Sequence, residues 1–240
     1  MNAPLPNNEA ERLAALKEYR ILDTGTEQPY NDITALAAHI CQVPIATISL
    51  LDEARQWFKA RVGMARMQTP REIAFCAHTI LQHKPLIVRD ARKDRRFANN
   101  ALVTGEPYIR FYAGFPLVSQ EGLALGTLCA MDRKPRELSA RQEKAMQALV
   151  RQVMALLEFR RVSLHLADAL NHIKTLQGLL PICAWCKRVR DDEGYWDQVE
   201  AYFHKSTGVD FTHGICPECL EKMRPQKENA PHQRLQRRPV

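Results

Sequence analysis

Four cysteines in two closely spaced pairs are the residues of this sequence best suited to chemistry. They read Cys183-Ala-Trp-Cys186 and Cys216-Pro-Glu-Cys219. Two intervening residues let one tight turn direct both thiolates to one point, and two such turns supply the four ligands of a tetrahedral zinc site. An iron site or a redox-active dithiol would use the same residues, so those alternatives stay open.

The setting of these cysteines indicates a structural metal site rather than a catalytic one. Four thiolates fill every coordination position of zinc and leave none for a reactive water. His213, three residues before Cys216, is the rival ligand. The 29 residues of 187–215 could hold a hairpin arm and a short helix. A segment this small would depend on the metal for much of its stability.

The composition is that of a soluble globular protein, with 240 residues for one ordinary domain and a small second one. The formal net charge is +7, and residues 222–240 hold six basic side chains against one acidic side chain. We therefore expect a disordered basic tail over 225–240 and consider nucleic-acid binding the weaker interpretation. No apolar run could span a membrane and no secretory signal is evident, which favours the cytoplasm.

The secondary-structure elements predicted before the paired cysteines include both strands and helices. Four segments have the composition and length of strands: 45–51, 56–62, 108–118 and 123–131. The last two are joined by the turn residues 119–122, which predicts a hairpin. Residues 71–83 are predicted to be helical, and the polar segment 90–105 to be a loop. The pattern predicts an α+β domain.

One long helix follows this domain. Ser139-Ala-Arg-Gln142 is a capping box, and no glycine or proline interrupts the sequence before Gly178. The later apolar positions recur in steps of 4, 3, 4, 3 and 4 residues, as in a coiled coil. This pattern predicts a parallel homodimer, with a helix folded back on its own domain as the alternative. The positions are Val162, Leu166, Ala169, Ile173, Leu176 and Leu180.

Three segments together resemble the bacterial GAF sensor domains. They are Arg110-Phe-Tyr-Ala-Gly-Phe-Pro-Leu117, Gly126-Thr-Leu-Cys-Ala-Met-Asp132 and Leu138-Ser-Ala-Arg-Gln142. The resemblance covers residues 8–155 and implies a central antiparallel sheet flanked by helices. It implies a role in signal transduction without identifying a ligand.

The C-terminal part resembles a small module that follows sensor and receiver domains in bacterial signalling proteins. The predicted organisation is a GAF domain over 8–155, a signalling helix over 139–178, a treble-clef-like zinc module over 179–224 and a tail over 225–240. The helix overlaps the end of the GAF domain.

Four residues are candidates for a ligand pocket in the GAF domain: Trp57, His78, Arg110 and Tyr112. Arg110 lies at the head of the predicted strand 108–118, facing the loop at 90–105, and could bind an anion through two parallel hydrogen bonds. The alternative is a surface ion pair with Asp90 or Asp94. The small-molecule ligand itself is unidentified.

Two cysteines of the GAF region, Cys76 and Cys129, are candidates for chemistry known in the family. Some GAF domains attach a bilin through a cysteine directly before a histidine, but Ala77 separates Cys76 from His78. Cys76 lies on an apolar helical stripe, which indicates packing. Cys129 lies in an apolar strand, and no loop cysteine is evident to resolve a sulfenic acid, which argues against activity as a free-methionine sulfoxide reductase.

The sequence carries no recognisable output enzyme. His165 and His172 lack the acidic residue and proline expected after a phosphoacceptor histidine. These observations predict a non-enzymatic signalling protein, in which the GAF domain acts through a dimeric helix and a zinc module on a downstream protein. The alternatives are a thiol-based redox sensor or a GAF-fold reductase, and then a nucleic-acid-binding regulator.

Overall fold

The computed structural model describes residues 3–177, 180–191 and 193–223. The chain divides into two compact units, Met1–Asn171 and His172–Val240. The helices of the first unit are α1 (Glu9–Glu18), α2 (Gln28–Cys41), α3 (Phe75–Thr79) and α4 (Ala101–Thr104), and a long helix, α5 (Ala140–Gln177), begins there. Its strands are β1 (Ile45–Leu51), β2 (Arg55–Val62), β3 (Gln68–Pro70), β4 (Leu86–Val88), β5 (Phe111–Val118) and β6 (Ala124–Asp132).

The six strands form one antiparallel sheet in the order β3-β2-β1-β6-β5-β4. All residues of β1 and β6 are buried, because helices and loops cover both faces of the sheet. On one face, α1, α2 and the first half of α5 pack in a core that includes Leu16, Ile33 and Met146. On the other face, α3, α4 and the segments around them form a second core. The α+β prediction is confirmed.

Close strand approach explains a glycine in the middle of β6. A Cβ atom on Gly126 would lie 2.0 Å from the carbonyl oxygen of Ser49 and 3.0 Å from the Cα of Leu50. Only glycine therefore lets β1 and β6 pair at this point.

The predicted helix over 71–83 is shorter than expected. Residues Arg71–Ile73 form a single 3₁₀ turn, and α3 covers only Phe75–Thr79. Ala74 interrupts the two because its backbone is extended, with φ −76° and ψ 121°. The capping box is confirmed, since the Gln142 amide nitrogen donates to Ser139 Oγ at 3.3 Å and Gln142 Oε1 accepts from the Ser139 amide nitrogen at 2.9 Å.

The long helix changes its exposed face along its length. Val153 and Leu157 are buried against the first core, whereas an apolar stripe beyond them is exposed. We call this the α5 stripe, and it consists of Phe159, Val162, Leu166 and Leu170. The side chains of Ile173 and Leu176 lie outside the described residues. None of the described helices is both long and apolar enough to cross a membrane.

The second unit contains β7 (Val189–Arg190), β8 (Trp196–Asp197), α6 (Val199–Thr207) and α7 (Pro217–Met223). The two strands pair as the predicted hairpin arm. Of the residues described from 180 to 223, only Val189 is buried. This unit therefore has almost no apolar core of its own within the part of the chain described.

Candidate functional site

A polar cluster is buried in the apolar core on the α3 face of the sheet. The strand register places its side chains on one face of three strands, because Thr47 pairs with Cys129 and Cys129 pairs with Gly114. Residues two apart share a face, so Ser49, Tyr112 and Thr127 join them. We call this set the thiol cluster, and it consists of Thr47, Ser49, Gln56, Cys76, Thr79, Tyr112, Thr127 and Cys129.

Tyr112 lies at the centre of the thiol cluster and is fully buried. Its hydroxyl oxygen lies 2.7 Å from Thr79 Oγ1 and 3.5 Å from the sulfur atoms of Cys76 and Cys129. Gly114 makes room for it, since a Cβ atom there would lie 2.0 Å from the Tyr112 hydroxyl oxygen. The glycine therefore allows the phenol to reach the thiols.

The thiols of Cys76 and Cys129 lie 3.4 Å apart. Cys129 Sγ also lies 2.9 Å from Thr127 Oγ1. Burial raises the pKa of Cys76, but hydrogen bonds from Cys129, Thr127, Tyr112 and Ser49 outweigh burial and lower this pKa from 9.0 to about 7. Burial and the adjacent Cys76 hold the pKa of Cys129 well above its ordinary range. The cluster thus pairs an acidic thiol with a weakly acidic one.

A small cavity lies beside Cys76. Its volume is about 10 Å³, which is room for about one water molecule. The hydroxyl of Thr69 lines it, is buried, and has no hydrogen-bond partner among the described residues. The remaining walls are Gln56, Phe58, Met64, Phe75, Cys76, Leu102, Ile109, Tyr112 and Met131. Side chains therefore fill most of this face of the sheet.

The structure brings together only part of the predicted pocket. Tyr112 lines the cavity, and His78 follows Cys76 on α3, with its ring centroid 4.9 Å from that of Phe97 in an edge-to-face arrangement. Trp57 instead packs in the core on the opposite face of the sheet, because it alternates with Gln56 and Phe58 along β2. The structure therefore separates Trp57 from Tyr112.

Arg110 has a local structural contact. Its Nη1 donates to the carbonyl oxygens of Val103 at 2.8 Å and Ile109 at 3.1 Å. The bond to Val103 ties α4 to the residue that precedes β5. The carboxylates that were its alternative partners pair with other guanidinium groups, Asp90 with Arg92 and Asp94 with Arg96.

The C-terminal cysteines form two separate pairs. The Cys186 amide nitrogen donates to Cys183 Sγ at 3.5 Å, and backbone hydrogen bonds from this turn lower the pKa of Cys183. Cys216 directly precedes α7, and backbone hydrogen bonds from Cys219 lower its pKa. Each pair could thus supply two of the four thiolate ligands of a metal site. Among the described residues, no three His, Cys, Asp or Glu side chains gather as a metal site, and His213 is exposed.

The sheet order and the helical layers define a sensor-type α+β domain. The GAF domain family model matches residues 26–157, more than half of the chain. The chain therefore belongs to the GAF domain family, which confirms the family that the sequence motifs predicted.

Two kinds of relative extend this comparison. Over 177 residues the chain is 42% identical to a cyclic di-GMP phosphodiesterase from Pseudomonas aeruginosa, a match that covers 73% of this chain and 29% of that enzyme. The GAF domain of Thermosynechococcus elongatus PixJ, in its blue-light-absorbing form, matches with a TM-score of 0.50 and 16% identity over 67% of this chain and 96% of that chain. The GAF domain of an Acinetobacter phosphoenolpyruvate-protein phosphotransferase matches with a TM-score of 0.49 and 17% identity, over 66% and 97%. The likeness to the PixJ domain shows the fold alone.

The prediction of a non-enzymatic signalling protein is wrong. The relative that is 42% identical is named a cyclic di-GMP phosphodiesterase, which is an enzyme. The chain spans less than a third of that relative, 29% of its length. The prediction rested on the lack of a recognisable catalytic motif in this sequence. That lack does not exclude a link to an enzyme.

Sequence reasoning also missed the contact between Cys76 and Cys129. Each cysteine was correctly expected to be buried, but the two were treated separately. The β5–β6 hairpin, with its turn at 119–122, contained part of the signal because it sets Gly114 opposite Cys129. The position of α3 over that point depends on tertiary packing, which no local pattern reveals.

We predict that Tyr112→Phe raises the pKa of Cys76 from about 7 toward 9.0, because the phenol is one of the donors that favour the thiolate. A lowered thiol pKa makes the folded state release its proton first, so stability rises between about pH 7 and pH 9. That rise should shrink in the variant, and the lost hydroxyl should cost about 1–2 kcal/mol. Thiolate absorbance, corrected with Cys76→Ser, and urea unfolding measure the two effects.

The exposed Tyr108 provides the matched control for this prediction. Tyr108→Phe should change neither the thiol titration nor the free energy of unfolding. An unchanged pKa of Cys76 in Tyr112→Phe would contradict the proposed role of the phenol.

Proposed function

We propose that this GAF domain is the sensory domain of a cytoplasmic protein that controls cyclic di-GMP hydrolysis. The observation that carries the proposal is the 42% identity over 177 residues with the Pseudomonas aeruginosa phosphodiesterase. This match is longer than the 132 residues that the GAF family model matches, so it extends beyond that segment. In this proposal the GAF domain receives a small-molecule or protein signal and regulates a phosphodiesterase linked to it.

The contacts of α5 support a route for that signal. Arg161, on α5, lies 3.1 Å from Glu121 in the turn between β5 and β6, and 2.9 Å from Glu158. The β5–β6 hairpin carries Tyr112 and Cys129, so a shift of these strands would reach α5 through the turn. Since both carboxylates are partly exposed, the ion pairs are weak individually and could be remade in a second state.

A second set of contacts fixes α5 to the segment after α1. The Tyr19 hydroxyl donates to Glu158 Oε1 at 2.5 Å. Arg160 donates to the carbonyl oxygens of Tyr19 at 3.1 Å and Arg20 at 3.0 Å. The helix is therefore held from two sides just where its apolar face turns outward.

We predict that a chimaera of the Pseudomonas aeruginosa phosphodiesterase, carrying this chain in place of its matched segment, hydrolyses cyclic di-GMP. Arg161→Gln should change the rate of hydrolysis by about fivefold or more, because it breaks the contact between the hairpin turn and α5. Release of the linear dinucleotide measures the rate.

Arg151→Gln is the matched control, since Arg151 is exposed on the same helix and makes no side-chain hydrogen bond within the described residues. This control should hydrolyse at the rate of the parent chimaera. A folded chimaera that is inactive, or one whose rate does not respond to Arg161→Gln, would contradict the proposal.

We also propose that two copies of the chain pair through the α5 stripe. Its members recur at intervals of three and four residues. Their exposed fractions are 74% for Phe159, 61% for Val162, 60% for Leu166 and 50% for Leu170. A second copy offers an identical stripe, and parallel pairing would bury both.

We predict that Leu166→Glu halves the molar mass measured by light scattering, because two carboxylates would face each other in the apolar contact. Ala167→Glu is the control, since Ala167 is exposed one residue away, about 100° around the helix. It should leave the mass of the parent unchanged. Equal masses for the parent and Leu166→Glu would contradict pairing through this stripe.

For the second unit we propose a structural zinc ion held by Cys183, Cys186, Cys216 and Cys219, with His213 as the rival ligand. The two turns, each with a lowered thiol pKa, and the near absence of a core support this proposal. Zinc would provide the crosslink that the apolar contacts do not.

We predict about one zinc ion per chain in the purified protein by elemental analysis. Cys186→Ser should lose the ion, because it removes one thiolate, while Cys76→Ser should retain it. Protein that contains no divalent metal and whose near-ultraviolet circular dichroism is unchanged by a chelator would contradict the site.

A further inference from the structure

Two thiols from distant parts of the chain meet inside the GAF domain. Cys76 is on α3 and Cys129 is on β6, 53 residues later, and their sulfur atoms are 3.4 Å apart. Neither side chain is more than 2% exposed, and neither is part of a disulfide. No other described cysteine of the first unit is so placed, since Cys41 is buried in the core on the opposite face of the sheet.

Polar side chains from the sheet surround the two sulfur atoms. The hydroxyl groups of Tyr112 and Thr127 contact them, and Thr79 fixes the phenol. Such donors stabilise a thiolate at Cys76, and the lowered pKa of this thiol agrees with the geometry. Cys129 keeps its proton, because its pKa is raised by burial and by its neighbour.

The cavity beside Cys76 determines what could reach this pair. It has room for about one water molecule, and the unpartnered Thr69 hydroxyl on its wall can hydrogen-bond to an entering group. A disulfide reagent of peptide size does not fit such a space. Hydrogen peroxide is uncharged and only one oxygen atom larger than water, so it is the oxidant closest in size to this space.

We propose that Cys76 and Cys129 are a peroxide-sensitive thiol pair that forms an internal disulfide. The Cys76 thiolate attacks one oxygen of hydrogen peroxide, the O–O bond breaks, and Cys76 becomes a sulfenic acid while hydroxide leaves and takes up the proton that Cys76 had released. Cys129 then attacks the sulfenic sulfur, the S–O bond breaks, and the departing hydroxide takes the Cys129 proton. Two thiols and one peroxide thus give one disulfide and two waters, and the peroxide accepts both electrons.

The disulfide would connect α3 covalently to the centre of the sheet. Cys129 lies on the same hairpin as Glu121, whose carboxylate pairs with Arg161 on α5. Oxidation would therefore shift β6, whose hairpin turn contacts α5 through Glu121 and Arg161. This inference does not depend on cyclic di-GMP, because the bond forms within the GAF domain whatever enzyme is linked to it.

The test is peptide mapping of the full, reduced chain after treatment with hydrogen peroxide. Free thiols are alkylated in denaturant, and the digest is analysed without reduction. We expect a Cys76–Cys129 crosslinked peptide that has lost two hydrogens and that disappears after a dithiol reductant. Cys41 should remain alkylated in the same sample, as an internal control for a buried thiol. Mapping also separates this bond from any oxidation within the C-terminal pairs.

Two variants test the order of the steps. In Cys129→Ser the reaction should stop at a sulfenic acid on Cys76, which dimedone traps when it is added together with denaturant after the peroxide treatment. In Cys76→Ser, Cys129 should stay reduced, because it lacks the stabilised thiolate. Oxidised glutathione should leave the pair reduced in the folded wild-type protein.

The proposal fails if Cys76 and Cys129 both remain alkylatable after peroxide has oxidised the C-terminal cysteines. It also fails if the crosslink forms only in denatured protein. Wild-type mapping decides these outcomes even if a variant does not fold. A negative result would leave the cyclic di-GMP proposal intact, since that proposal is tested by hydrolysis in the chimaera.

Discussion

Burial of the central strands on both faces is the constraint from which the rest of this domain follows. All nine residues of β6 are buried between β1 and β5, and a separate core covers each face. A polar side chain on such a strand has no water to bond with and must find a partner inside. Thr47, Ser49, Thr127 and Tyr112 do so with each other and with two thiols, which is why a polar cluster exists in an apolar core.

The packing that forms the thiol cluster also involves the hairpin that contacts α5. Gly126 allows β1 to approach β6. Gly114 leaves the space that the Tyr112 side chain occupies above β5. Both glycines are therefore structural conditions for the thiol cluster rather than flexible points. Because the hairpin turn also touches α5 through Glu121 and Arg161, packing changes within the sheet have a direct route to the long helix.

The sequence was sufficient to predict the features that depend on local patterns. The β5–β6 hairpin, the capping box at Ser139 and the GAF family were all predicted from neighbouring residues. The length of α3 was overestimated because Ala74 adopts an extended backbone that propensity does not reveal. The separation of Trp57 from Tyr112 depends on which face of the sheet each strand residue occupies.

The parts that could not be predicted depend on distant contacts or on other proteins. The proximity of Cys76 and Cys129 requires α3 to pack on β6, which joins residues 53 positions apart. The link to an enzyme came from a relative of which this chain spans only 29%, and no residue pattern in the chain conveyed it.

The continuity of α5 has a geometric consequence for anything attached beyond it. The helix extends over 38 residues, and its angular setting is fixed near its middle, where Glu158, Arg160 and Arg161 contact Tyr19, Arg20 and Glu121. Inserting or deleting one residue downstream would rotate an attached domain by about 100° and displace it by about 1.5 Å along the axis. A fused effector would therefore tolerate spacer changes in whole helical turns far better than single-residue changes.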